Sequence, residues 1–150
     1  LSLHDALPIF LSGKPIIQHV YEHVAPHFDK TLVATDHASI QQCVESFGGQ
    51  AVMTSPHHRS GTDRCCEALE KCIDGPYDVV VNVQGDEPFV HPAQLEAIKH
   101  CFVEEETQIA TLVTPFRENA SWEVLQNPNS PKVVVDTRGF ALCFSRSVII

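Results

Sequence analysis

Residues 78–88 read DVVVNVQGDEP, and this run decides the fold. A nearly unbroken series of valines is the pattern of a strand buried on both faces, as in the interior of a parallel sheet. The series ends abruptly in Gln84, Gly85, Asp86, Glu87 and Pro88. Proline cannot donate to a ladder, so it stops the strand and leaves the carboxylates at the strand's C-terminal end. In sheets of this kind ligands bind beyond the C-terminal strand ends.

Working outward, short apolar runs alternate with helical patterns of about ten residues. PIIQHVYEHV (15–24) puts Ile16, Ile17, Val20 and Val24 on one helical face behind a proline in the first turn. KTLVATD (30–36) predicts a strand ending at Asp36, and ASIQQCVESF (38–47) a helix with Ile40, Cys43, Val44 and Phe47 inward, closed by Gly48-Gly49. QAVMT (50–54) predicts a strand, and a helix from about Asp63 turns Cys66, Leu69, Cys72 and Ile73 to the core. After the valine run come a helix past Pro92 carrying Leu95, Ile98 and Phe102, a strand over 108–116, and a short helix in NASWEVLQ. KVVVDTRGFALCFSR (132–146) predicts a hairpin turning through Asp136, Thr137, Arg138 and Gly139. This order implies βαβ units: an α/β fold with a doubly wound, mainly parallel sheet and helices on both faces.

The chain has 150 residues, enough for one domain with its own core, and its 43% hydrophobic content shows no disorder signature. A net charge of −9 argues against a nucleic-acid or anionic-membrane partner, because a phosphate backbone would be repelled. A small phosphorylated ligand, needing only local donors and a cation, remains compatible. There is no apolar run of about 18 residues, the length a membrane-spanning helix needs. Six cysteines without a C-x-x-C pair read as buried reduced thiols of a cytosolic protein. Nine histidines show no zinc-ligand spacing.

Asp86 is the sharpest candidate for chemistry. A hard cation such as Mg²⁺ takes oxygen ligands and binds through one or two carboxylates plus substrate phosphates. A strand end can hold one such carboxylate still while Gly85 lets the backbone approach a ligand. The competing reading makes Asp86 and Glu87 turn or capping groups. In HHRSGTDR (57–64), Ser60, Gly61 and Thr62 precede a helix, so free amides and hydroxyls could meet an anion or nucleoside, with Arg64 adding a fork of donors. The alternative is a plain N-cap by Ser60 or Thr62, with Asp63 favouring the helix dipole. Lys14 and Lys132 read as surface lysines. Neither G-x-G-x-x-G nor G-x-x-x-x-G-K-[ST] is present, which weighs against dinucleotide-dehydrogenase and P-loop readings.

Taken in order, SGKPII (12–17), VATDH (33–37), HHRSGTDR (57–64), VVNVQGDEP (80–88), PNSPKVVVD (128–136) and ALCFSRS (141–147) resemble the 3-deoxy-manno-octulosonate (Kdo) cytidylyltransferases. The resemblance runs from about Leu11 to Val148. It implies a nucleotide-diphospho-sugar transferase fold, Rossmann-like, and a Mg²⁺-dependent reaction in which CTP and Kdo give CMP-Kdo and pyrophosphate for lipopolysaccharide biosynthesis. It further implies a cytoplasmic homodimer. By the family pattern Asp86 matches the metal-binding, catalytic aspartate of Q-G-D-E-P, and Gln84, Ser60, Gly61, Thr62 and Arg64 match positions lining the nucleotide pocket.

The departures from the family pattern lie at the ends. The basic loop A-R-Y-x-S-x-R-L-P-G-K, which grips the triphosphate in the family, is not found. Residues 1–10, LSLHDALPIF, read as a non-native leader of translated adapter sequence, and residues 11–150 as a partial cytidylyltransferase domain. The family's second metal-binding aspartate and most sugar contacts are expected beyond residue 150. The expectation is therefore an active parent enzyme and an inactive truncated chain. Two rivals stand beside it. One is transfer of CMP to a related sugar acid, 8-amino Kdo or sialic acid. The other is a non-catalytic nucleotide-binding module.

Overall fold

The computed structural model describes residues 9–72 and 75–149. They divide into two compact units between Ala110 and Thr111.

The first unit opens with a two-residue antiparallel pairing of β1 (Phe10–Leu11) with β2 (Lys14–Pro15). The turn between them holds Ser12 at φ 51° and Gly13 at φ 82°, the positive-φ pair that matches the twist of a tight hairpin. The amide of Ile16 donates to the carbonyl of Ile9 at 2.7 Å, so Ile9 and Phe10 are tied into this hairpin. Residues 1–8 of the expected leader lie outside the described residues.

Helix α1 (Ile16–Val24) follows Pro15 and runs into one 3₁₀ turn at Ala25–His27. Its apolar face is the predicted one: Val20 and Val24 are buried with Leu95 of α4 (Pro92–Cys101), and Ile16, Phe28, Val83 and Val90 pack against them. Strands β3 (Val33–Thr35) and β4 (Ala51–Met53) pair in parallel, Val33 opposite Ala51 and Thr35 opposite Met53. Helix α2 (Ala38–Ser46) makes the crossover, burying Val44 completely, and Gly48 at φ 82° ends it as predicted. Helix α3 (Gly61–Lys71) packs on both strands. This parallel βαβ unit, flanked by helices, makes the architecture α/β.

Two predicted strands do not form ladders. Residues 78–84 and 108–116 carry no strand pairing among the described residues. A strand needs a neighbour about 4.8 Å away. Here β3 pairs only with β4, and a cleft is lined jointly by residues 30–37 and 79–86. The valine run still sorts by side: Val81 and Val83 are half-buried, whereas Val80 is 50% exposed.

The predicted core face of α3 also shifts. Ala68 is its buried residue, Cys66 and Leu69 are exposed, and Ile73 lies outside the described residues. Nor are the cysteines buried: Cys66, Cys101 and Cys143 are exposed, and Cys43, Cys65 and Cys72 are partly covered. Cys65 and Cys72 face the open cleft rather than a closed core, which accounts for the difference.

In the second unit, Ser121 caps α5 (Trp122–Gln126) by accepting from the Val124 amide, and β5 (Lys132–Val135) pairs antiparallel with β6 (Ala141–Ser145). The predicted turn is built by Asp136, whose Oδ1 accepts from the amides of Arg138 and Phe140, both at 2.8 Å. Lys132 is not a surface lysine. It is 7% exposed, and its Nζ donates to the carbonyls of Asn127 (2.6 Å) and Arg146 (2.9 Å), tying both ends of the hairpin.

Candidate active site

The first unit contains a cleft of about 380 Å³ whose walls come from α1, β3, α3 and residues 79–86. Its deeper wall is apolar, with Val20, Val24 and Val81, and its polar groups include Asp36, Arg64, Asn82, Gln84 and Asp86, with Lys30 and His37 also in the lining. A concave, mostly apolar space with a few convergent polar groups is the ordinary form of a small-molecule site.

The loop before α3 is held by that helix. Ser60 is its N-cap, accepting from the Asp63 amide at 3.1 Å and donating to Asp63 Oδ2 at 2.8 Å. Glu67, two turns along, accepts from the Ser55 amide at 2.8 Å, pairs with His58 Nε2, and meets Lys71 Nζ at 2.7 Å. The Lys71 hydrogen bond, then those from Ser55 and His58, hold the Glu67 carboxyl down at about 2. Residues 55–60 are thereby pinned against α3.

Arg64 ties the same helix to the end of β3. Its guanidinium donates to Asp36 Oδ2 at 2.9 Å and to Thr54 Oγ1 at 2.6 Å, with both charged side chains largely covered (15% and 10% exposed). Burial pushes the Asp36 carboxyl up, but the Arg64 hydrogen bond and its own backbone amide outweigh that and leave it below the ordinary range. Thr54 in turn donates to the Thr35 carbonyl at 3.2 Å. One arginine thus joins β3, β4 and α3 at the mouth of the cleft.

Gly61, the first residue of α3, stands against the valine run. A methyl group there would meet Asn82 Nδ2 at 3.2 Å and Gln84 Nε2 at 3.5 Å. The two motifs singled out in the sequence therefore meet through a glycine and two side-chain amides. Gly85 serves a packing purpose: a side chain there would meet Ile17 Cδ1 at 3.2 Å, so the glycine admits α1. Asp86 follows on the rim, exposed, its carboxylate engaged in no hydrogen bond or ion pair among the described residues. A magnesium ion fits this donor set only as a shared ligand. No cluster of three or more His, Cys, Asp or Glu is present among the described residues, so Asp86 would supply one carboxylate and the substrate's phosphates the remaining oxygens.

Of the residues picked from sequence, Gly61, Arg64, Gln84 and Asp86 come together on the cleft. Ser60 is committed to the helix cap, and Thr62 is exposed outside the cleft lining. The structure adds Asn82 and Thr54. Asn82 carried a readable signal: in a period-two run it shares a side with Gln84, and it is the one polar residue interrupting the valines. Thr54 carried none, because its partner Arg64 is ten residues away across a loop.

The cytidylyltransferase family model matches residues 9–150. A 3-deoxy-manno-octulosonate cytidylyltransferase of Parabacteroides distasonis is 57% identical over 93% of this chain and 55% of its own length, and one from Porphyromonas gingivalis is 50% identical over 91% and 54%. The chain thus spans about half the length of the curated relatives it matches. Among solved structures, a CMP:2-keto-3-deoxy-manno-octonic acid synthetase complexed with CTP superposes with a TM-score of 0.79 at 38% identity, covering 93% of this chain and 56% of that one. Sequence, fold and the two converging motifs agree: the chain belongs to the cytidylyltransferase family.

Proposed function

We propose that the complete protein transfers CMP from CTP to Kdo, giving CMP-Kdo and pyrophosphate. One observation carries the reading: the S-G-T-D-R turn and the Q-G-D segment converge on a single cleft, with Asp86 uncommitted at its rim. The relatives' names support the substrate pair, and the solved relative is bound to CTP.

In this scheme the nucleoside enters beside Gly61 and Gln84, and its phosphates point toward Asp86. The anomeric hydroxyl of Kdo attacks the α-phosphorus while the bond to pyrophosphate breaks in line. Charge grows on the phosphoryl oxygens, so the reaction calls for oriented donors and cations rather than a protein nucleophile. Asp86 would hold Mg²⁺, which when bound would supply neutralisation of the phosphate charge. The Arg64–Asp36 pair keeps the α3 turn and the end of β3 in one geometry, so the nucleoside wall is formed before substrate arrives. The reading includes a cytoplasmic homodimer. No helix among the described residues is long and apolar enough to cross a membrane.

The test is product analysis by mass spectrometry on the complete protein, given CTP, Mg²⁺ and equal Kdo, 8-amino Kdo and sialic acid. CMP-Kdo as the main product supports the proposal. A different CMP-sugar refutes the choice of acceptor, and CTP binding without any transfer refutes the enzyme.

A further inference from the structure

Asp86 sits in a segment that its own turns hold only weakly. The Glu87 amide donates to the Gln84 carbonyl and the Val90 amide to the Glu87 carbonyl, each at 3.3 Å, longer than the usual bond of about 2.9–3.0 Å. Residues 84–90 join no ladder among the described residues. What fixes them comes from α1. Gly85 fits against Ile17, where a side chain would meet Cδ1 at 3.2 Å, and Val90 packs on the cluster of Val20, Val24 and Leu95. Between these apolar holds lies a polar one: His23 Nδ1 donates to the Pro88 carbonyl at 3.0 Å. Among the described residues no other side chain hydrogen-bonds the backbone of 84–90.

The spacing of these holds matches. Ile17 and His23 stand six residues apart on one helix, about 9 Å along its axis, and Gly85 and Pro88 span at most about 10 Å. Asp86 therefore lies between two points fixed on the same helix, whose Val20 and Val24 are buried. A carbonyl only accepts, so the imidazole carries its proton on Nδ1. His23 is exposed, and one such bond has a modest net strength. A single carboxylate lent to a metal is nonetheless sensitive to how its surroundings orient it. The competing role for His23 is to offset the helix dipole from the last turn of α1, which needs no contact with Pro88.

Resting on the reading of Asp86 as the magnesium ligand, we propose that His23 is a positioning residue. By holding the Pro88 carbonyl it keeps the Asp86 turn on α1, where the carboxylate and the substrate's phosphates can share one cation.

The experiment compares the complete wild-type protein with His23→Ala, His23→Asn and Asp86→Asn by two measurements. The first is amide hydrogen exchange at Glu87 and Val90 without metal or nucleotide, followed by NMR. The second is calorimetric titration with CTP, without Kdo, at stepped Mg²⁺ concentrations. His23→Ala is expected to speed exchange about fivefold and to cut the magnesium-linked gain in CTP affinity by about the same factor, the loss of one neutral hydrogen bond. CTP affinity without Mg²⁺ should stay unchanged. His23→Asn keeps a donor near the position of Nδ1 and should restore most of both effects. Unaltered exchange in His23→Ala, an undiminished magnesium-linked gain, or a lower Tm with neither effect would overturn the proposal. A wild type with no magnesium-linked gain, or an Asp86→Asn variant that keeps it, would instead refute Asp86 as the metal ligand, and the proposal would fall for that separate reason.

Discussion

Asp86 and Gly61 make opposite demands on the chain, and substitution separates them. Asp86 makes no side-chain hydrogen bond among the described residues, so Asp86→Asn should leave the thermal unfolding curve of the complete protein unchanged. Turnover should fall at least about a thousandfold, near 4 kcal/mol of transition-state stabilisation, because one charge on the metal is lost. Steady-state kinetics at saturating Mg²⁺ check this, and near-native turnover would remove Asp86 from the chemistry. At Gly61 no positive φ demands glycine, and alanine is the better helix former by about 0.5–1 kcal/mol. Gly61→Ala should therefore melt no lower than the wild type while raising the KM for CTP, because the Asn82 and Gln84 amides must retreat by a few tenths of an ångström. A variant equal to wild type in both respects would show that the glycine is incidental. Both residues were legible in the sequence, one as a carboxylate at the end of a valine run and the other in a turn before a helix.

At the scale of elements, α3 is the part that organises the cleft, and Glu67 and Arg64 are its two fasteners. Glu67 has a folded-state value of about 2, below the ordinary 4.5. A depressed carboxyl contributes stability above its unfolded value, and that contribution is lost as pH falls through the folded one. Glu67→Gln should thus flatten the acid side of the stability profile between about pH 4.5 and 2, measured by urea unfolding at stepped pH. If the two profiles are parallel in that window, the loop is held by something else. Arg64→Ala removes a charge-assisted pair and strands Asp36, costing about 2 kcal/mol in stability, so any loss of CTP affinity should be accompanied by a lower Tm. A loss of affinity at unaltered Tm would instead mark Arg64 as a direct ligand. The sequence showed the core faces of α1 and α4 well because apolar spacing is local, as Val20, Val24 and Leu95 demonstrate. The core face of α3, by contrast, falls on Ala68 rather than on the predicted Cys66 and Leu69. Ladder partners are not local. The valine run at 78–84 has the composition of an inner strand, but composition cannot say which neighbour lies beside it, and here a cleft does.

Across the whole molecule, apolar side chains remain at the surface of both units. Val80, Phe89 and Ile109 are exposed in the first, and Trp122, Leu142 and Phe144 in the second. Surfaces of this kind invite association. The purified 150-residue chain is expected to enhance the fluorescence of a hydrophobic dye and to scatter light at micromolar concentrations, more than the complete protein does. A monodisperse, dye-silent chain would contradict this. The overall charge of −9 gave no hint of such patches, because net charge reports nothing about where apolar groups fall.

The covered ammonium of Lys132 has a practical use. Its two carbonyl partners keep it out of solvent, whereas Lys14, paired with Glu22 at 2.8 Å, stands in the open. An acylating reagent should therefore modify Lys14 at once and Lys132 only when the hairpin parts. The ratio of the two adducts would then serve as a built-in gauge of how often that hairpin opens.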